Sequence, residues 1–260
     1  MAEGQAQSPL ILIEHSGGSD NALSQAAGFQ PIASPREVGA HGDALEAFDI
    51  YQQMAESLAA AGVSLNVGPS ASACQGDTSA ATTDCFGSDP RHSAAFATAF
   101  NLAHQSQGVL TAMRYQAPVI GDATALNEMA KRKPPDALVV GALTANPSLG
   151  TKTANTLRPA GYTGGILLES FDEQDAAEQL IEALNHGADM VLFRTAFGLE
   201  TGFPDTVLAG IRSAIHAGRL AQARLDDAAS YTDLLRQQVR ASQSRIVSRA
   251  GLADQSSAAR

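Results

Sequence analysis

The sequence predicts an α/β fold built on a parallel sheet, and three observations predict it. Six short apolar runs alternate with amphipathic stretches along the chain, at residues 10–14, 63–67, 108–113, 137–141, 166–169 and 190–193. These runs are continuously apolar rather than alternating, as strands buried on both faces read. Strand and helix units in alternation build a parallel sheet with helices packed on it. The length of 260 residues is large for an ordinary domain and normal for one α/β barrel.

The helices follow in order. Leu45, Phe48 and Met54 mark the first apolar stripe. Asp89-Pro90 opens a second helix over 93–105, because Asp caps orphan N–H groups and Pro tolerates the first helical position. Ala177, Leu180, Ile181 and Leu184 share one helical face, and so do Val207, Leu208, Ile211 and Ile215. A last helix spans about residues 225–245, and the small polar segment 250–260 reads as a frayed tail. No internal repeat stands out, so residues 1–248 read as one domain and 249–260 as a flexible tail.

Composition excludes several function classes. The 17 basic residues against 27 acidic ones give a net charge of −10. A nucleic-acid surface needs clustered Lys and Arg, and the one basic run, Lys131 to Lys133, reads as a solvated helix end. Aromatic residues are 5% of the chain, with no Trp, so ring-stacking surfaces are scarce. No apolar run approaches the roughly 20 residues of a membrane span. The first residues lack the basic and apolar regions of an export signal, so a soluble cytoplasmic protein is expected. Cys74 and Cys85 read either as two free thiols or as a disulfide across a polar loop. A bridge would contribute roughly 3 kcal/mol and imply a periplasmic or secreted protein. Asp122, Glu128 and Asp136 make no compact ligand set, so neither a metal nor a cofactor is expected.

Six blocks resemble glycoside hydrolase family 3, in the right order and with compatible spacing. Pro9 to Gly18 (PLILIEHSGG) is similar to the family's PLLIAIDQEGG, with Glu14 for its Asp, Ser16 for its Glu, and Ser19 following where an Arg is usual. Ala61 to Pro69 (AGVSLNVGP) resembles AGINLNFAP. Asp84 to Pro90 (DCFGSDP) resembles RSFGEDP, with Asp84 for the Arg. Gly108 to Tyr115 (GVLTAMRY) stands in place of GVIATAKH, with Arg114 for the Lys and Tyr115 for the His. Gly165 to Ala177 (GILLESFDEQDAA) has the frame of the nucleophile strand GVIFSDDLSMEAA, and Ser170 aligns with the attacking Asp. Asn185 to Leu192 (NHGADMVL) is close to the family's AGADMVL strand.

The resemblance implies a TIM-type barrel, incomplete, with about six recognisable parallel strands and an N-terminal truncation. It also implies a carbohydrate ligand, of which an amino sugar is one candidate. Glu14, Asp84, Arg114, Tyr115 and Ser170 occupy the implied ligand-binding positions. The nucleophile and acid/base positions are not kept: the FPGHG segment is replaced by Gln116 to Ile120, and Ala142 takes the place of a His. A catalytically degenerate protein with a binding or assembly role is therefore expected. The alternative is a β-glycosidase, resembling β-N-acetylhexosaminidases, with relocated carboxylates drawn from Glu14, Asp172 and Glu169. Strand alternation points Glu169 away from Ser170. His15, after the first strand, is the one histidine near enough in the fold to be weighed as a base for Ser170. Arg114 and Glu14 read equally as remnants of a polyol pocket or as an ion pair joining strand ends. Open edges of an incomplete barrel invite a cover, so a homodimer or another partner is expected there.

Overall fold

The computed structural model describes residues 10–18, 23, 28–74, 84–115, 128, 131–143, 147–159, 161–171, 174–194 and 202–258, with side chains to Ser242. Each expected apolar run holds one strand: β1 Leu12–Glu14, β2 Leu65–Ser70, β3 Leu110–Arg114, β4 Ala137–Ala142, β5 Gly165–Ser170 and β6 Met190–Phe193. They pair in sequence order, all parallel, as a curled half-barrel. The inner strands β2, β3 and β5 are buried almost throughout, whereas all four residues of β6 are half-exposed.

The helices are α1 Pro35–His41, α2 Ala44–Ala60, α3 Pro90–Ser106, α4 Leu149–Leu157, α5 Ala176–Asn185, α6 Phe203–His216 and α7 Gln222–Ala258. Asp89 caps α3 as expected, accepting from the N–H groups of Arg91 at 2.7 Å and His92 at 3.0 Å. Helix α1 was not anticipated. It starts with a capping box in which Ser34 Oγ accepts from Glu37 N, and Glu37 Oε2 accepts from Ser34 N at 2.8 Å. Helix α7 continues to Ala258, past the end expected near Arg245 and into the segment read as a frayed tail.

Alternation along the strands sorts the core into two faces. On the convex face, Met113, Leu138, Val140, Ile166 and Leu168 join one cluster with the helices, α3 lying on β3 and α4 on β4 and β5, and Tyr51 of α2 meets the rings of Phe100 and Phe86 edge-on. Gly68 of β2 lies directly beneath Phe100, and a Cβ there would come within 2.3 Å of its ring. A side chain at position 68 would lift α3 off the sheet.

The same face buries a polar link. Asn66 Nδ2 donates to His15 O at 2.9 Å and reaches His104 Nε2 at 2.9 Å, while Asn66 Oδ1 accepts from His15 N. His104 Nδ1 lies 2.9 Å from Phe100 O, a pure acceptor, so Nδ1 carries the proton and Nε2 accepts. Burial pushes the His104 pKa down to about 3, and the ring is neutral.

On the concave face Leu65, Val67, Leu110, Ala112, Ala137, Val139 and Leu167 form a second cluster. Helix α7 contributes Leu235 and Val239 to it. The homodimer expected to cover this open side therefore has a competitor in the chain itself, since α7 already covers apolar concave surface. At the start of β6 the carboxylate of Asp189 accepts from Ile166 N at 2.9 Å, Arg158 Nη2 at 2.6 Å and Arg224 Nη2 at 3.0 Å. The Arg158 guanidinium also lies 3.6 Å over the Tyr231 ring, tying α7 to the N-terminal ends of the strands.

Candidate functional site

The opposite ends of the strands carry the candidate site. Leu12 and Glu14, Ala112 and Arg114, and Leu167 and Glu169 share the concave parity of their strands. The register then sets their height. Glu14 pairs with Val67 and Val67 with Ala112, two residues below Arg114. Arg114 pairs with Val139 and Val139 with Leu167, two residues below Glu169. A stagger of one residue per strand is that of a tilted barrel, and it brings Glu14, Arg114 and Glu169 to one level.

In an eight-stranded barrel such a layer takes four side chains from alternate strands. Here β1, β3 and β5 supply three, and Arg194, the residue after β6, supplies a fourth. Arg114 Nη1 donates to Glu169 Oε1 at 3.2 Å, and its Nη2 donates to Glu14 Oε1. Arg194 Nε donates to Glu169 Oε1 at 2.8 Å, and its Nη2 donates to Glu14 Oε2. Each glutamate thus holds both arginines, and the four side chains close a ring of ion pairs. The Arg114 and Glu169 side chains are buried, at 11% and 9% exposed, whereas Glu14 and Arg194 face outward at 40% and 33%.

Asp84 joins from the loop after β2, with its carboxylate 3.8 Å from Arg114 Nε and hydrogen-bonded by Ser16. Burial pushes its pKa up to about 6; the Ser16 hydrogen bond and Arg114 oppose the rise, and Glu14 adds to it. A disulfide joins Cys74 to Cys85, resolving the two readings of the cysteines. It pins Asp84 from the adjacent residue, and Ser70 N donates to Asp84 O at 2.7 Å. Phe171, 63% exposed, lies at the rim with its ring centre 5.9 Å from the Arg194 guanidinium carbon.

Of the expected ligand positions, Glu14, Asp84 and Arg114 come together. Ser170 has the opposite parity: it is buried, and its Oγ donates to Gln179 Oε1 of α5. Tyr115 packs against the convex cluster. Asp172 lies outside the described residues. His15, directly after β1, and Ser170 of β5 both have convex parity, on strands four places apart in the sheet, so the curl turns them away from each other. Glu169 and Arg194 are the members that the sequence reading did not assign to the ligand site. Parity with Leu167 marks Glu169 as concave, while the partnership of Arg194 with Glu14 spans 180 positions. Among the described residues no group of three His, Cys, Asp or Glu could hold a metal ion. No described helix is long and apolar enough to cross a membrane.

No protein-family model matches the chain, and no curated protein matches it in sequence. Solved structures do match in fold. A glycosyl hydrolase of family 3 from Mycobacterium smegmatis is 22% identical with a TM-score of 0.70, over 88% of this chain and 82% of that one. A β-N-acetylhexosaminidase from Beutenbergia cavernae is 18% identical with a TM-score of 0.72, over 88% and 78%. A family 3 β-N-acetylglucosaminidase from Paenibacillus is 18% identical with a TM-score of 0.73, over 89% of this chain and 50% of its own. The fold of this chain is that of the glycoside hydrolase family 3 barrel domain, with six parallel strands described.

Proposed function

We propose that this chain is a catalytically degenerate, glycoside hydrolase family 3-like protein that binds a carbohydrate at the C-terminal strand ends. The observation that carries the reading is the ring: both strand-end glutamates are neutralised by the same two arginines. A retaining glycosidase needs one carboxylate free to attack the anomeric carbon and one protonated acid on the leaving oxygen. Glu14 and Glu169 share their counterions instead of flanking a bond, and Ser170, at the position aligned with the nucleophile, is neutral and engaged with Gln179. The outward Glu14 and Arg194, with the exposed Phe171 face, supply acceptors, donors and an apolar surface suited to a sugar. Sharing a fold with glycosidases makes the ligand class reasonable and leaves the activity open.

One observation favours the second reading, an active glycosidase. Asp84 has a carboxyl pushed up to about 6, within the range of a general acid, beside Glu14. Turnover of aryl β-glycosides, led by the N-acetylglucosaminide, separates the two. The expected result is no turnover above that of a denatured sample. Turnover that is abolished by Asp84→Asn and by Glu14→Gln would overturn the degenerate reading in favour of the active one. Ligand binding is tested by thermal unfolding with N-acetylglucosamine, because a sugar at 100 times its dissociation constant adds about 2.7 kcal/mol. An unchanged melting temperature across millimolar sugars would remove the binding role.

We also propose association of two copies along β1 and β6, the outermost strands. Light scattering at micromolar concentration checks it, and a monomer mass would remove it.

A further inference from the structure

We propose that the Glu14–Arg114–Glu169–Arg194 ring is a clasp. It holds the two outermost strands of the half-barrel together at their C-terminal ends, and Arg194 is its release point. The ring connects β1, β3, β5 and the end of β6 through charged side chains of one layer at the mouth, above the apolar concave cluster. Strands β1 and β6 are not hydrogen-bonded neighbours, yet Glu14 of β1 meets Arg194 directly after β6. In a closed barrel the ladder hydrogen bonds would make that connection. Here two long charged side chains reach across.

The inner and outer members differ in burial, and this places the release point. Arg114 and Glu169 are nearly enclosed, and separating them would leave a buried charge unpaired. Glu14 and Arg194 are both more than a third or about a third exposed, so water can solvate them when they part. The Arg194 link is therefore the weakest in the ring and the most easily screened by salt. Opening there parts β1 from the end of β6 at the mouth, while Arg114 keeps its pairs with Glu14 and Glu169 and so holds β1, β3 and β5 together. The clasp does not depend on the carbohydrate reading.

Hydrogen exchange of the full chain tests the clasp. In Arg194→Met, which keeps a long stem without the charge, amides of β1 and β6 are expected to exchange about fivefold faster, the upper size of a part-exposed ion pair of about 1 kcal/mol. Amides of β3 and β4 are expected to change less than about twofold. Arg219→Met, which removes an exposed pair with Glu178, serves as control and should leave β1 and β6 unchanged. Equal acceleration in every strand, or none, would overturn the clasp. If Arg194→Met does not fold, the wild-type protein is taken from about 0.05 M to about 1 M NaCl, where screening should speed exchange selectively in β1 and β6. A salt response spread evenly over the sheet would overturn it as well.

Discussion

The two ends of the sheet each carry an arginine–carboxylate cluster, and the two are built differently. At the N-terminal ends a single aspartate, Asp189, is 2% exposed and held by Arg158, Arg224 and a backbone N–H. Arg158 is fixed in turn by the carbonyls of Tyr162 and Gly164 and by the Tyr231 ring. At the C-terminal ends two glutamates and two arginines alternate, and half of them face solvent. The first cluster ties backbone segments together and presents little to bind. The second holds side chains to side chains, the arrangement of a surface that can exchange its partners. On the proposed reading, stability and recognition are thus separated between the two ends of the sheet.

That contrast can be broken most directly at Asp189. Asp189→Ala leaves two half-buried guanidinium groups and the Ile166 N–H without their acceptor. It is expected to cost about 3–5 kcal/mol in chemical denaturation, as for a broken buried pair. Next in size is the disulfide on the opposite side: Cys74→Ser with Cys85→Ser should cost roughly 3 kcal/mol by releasing a short loop in the unfolded chain. Glu14→Gln is expected to cost about 1 kcal/mol, with a larger loss at low salt than at high salt, whereas the Asp189→Ala loss should barely change with salt. Equal salt responses at the two ends would erase the distinction between them.

An effect of similar size sharpens the comparison through pH. The folded pKa of Asp84 is raised to about 6, above the ordinary carboxylate value near 4. Between those values the native state holds more protons than the unfolded one, so stability from this group is full below about pH 4 and is lost as pH rises through about 6. Asp84→Asn should therefore gain stability relative to the wild type as pH rises across that window. The gain is about 1 kcal/mol once solvent screening of a side chain one-third exposed is allowed for. Urea denaturation at pH 4.5 and 7 would check it, and a gain that shrinks with rising pH would contradict the sign. Smallest of all, Phe171→Ala should change stability by less than about 0.5 kcal/mol, since the ring is exposed. A sugar ligand would feel the same change strongly.

The strands were legible because burial on both faces leaves an uninterrupted apolar run, as in β3 and β5. Helix α3 was legible through Asp89 and Pro90. Helix α1 carried its own signal, Ser34 and Glu37 three apart around Pro35, which a search for apolar stripes passes over in seven residues. The site was half legible. Glu14 and Arg114 converge as their positions at strand ends suggested, because a parallel sheet gathers those ends on one side, and Asp84 reaches them from the loop after β2. Alignment drew attention to Ser170, whereas parity gives the mouth to Glu169. The ring itself depends on the stagger between strands, a property of the whole sheet that no local stretch encodes.

The neutral His104 has a consequence for how the fold comes apart. An unfolded histidine takes up a proton near pH 6.5, whereas this one resists until about pH 3. Stability from the Asn66–His104 contact is present above about pH 6.5 and is lost as acid is added. Seating α3 on β2 is therefore coupled to proton release, and mild acid works against the molecule from inside that joint. Asp84 at the mouth pulls the other way over part of the same range, so acidification loosens the helix layer while it relieves the rim.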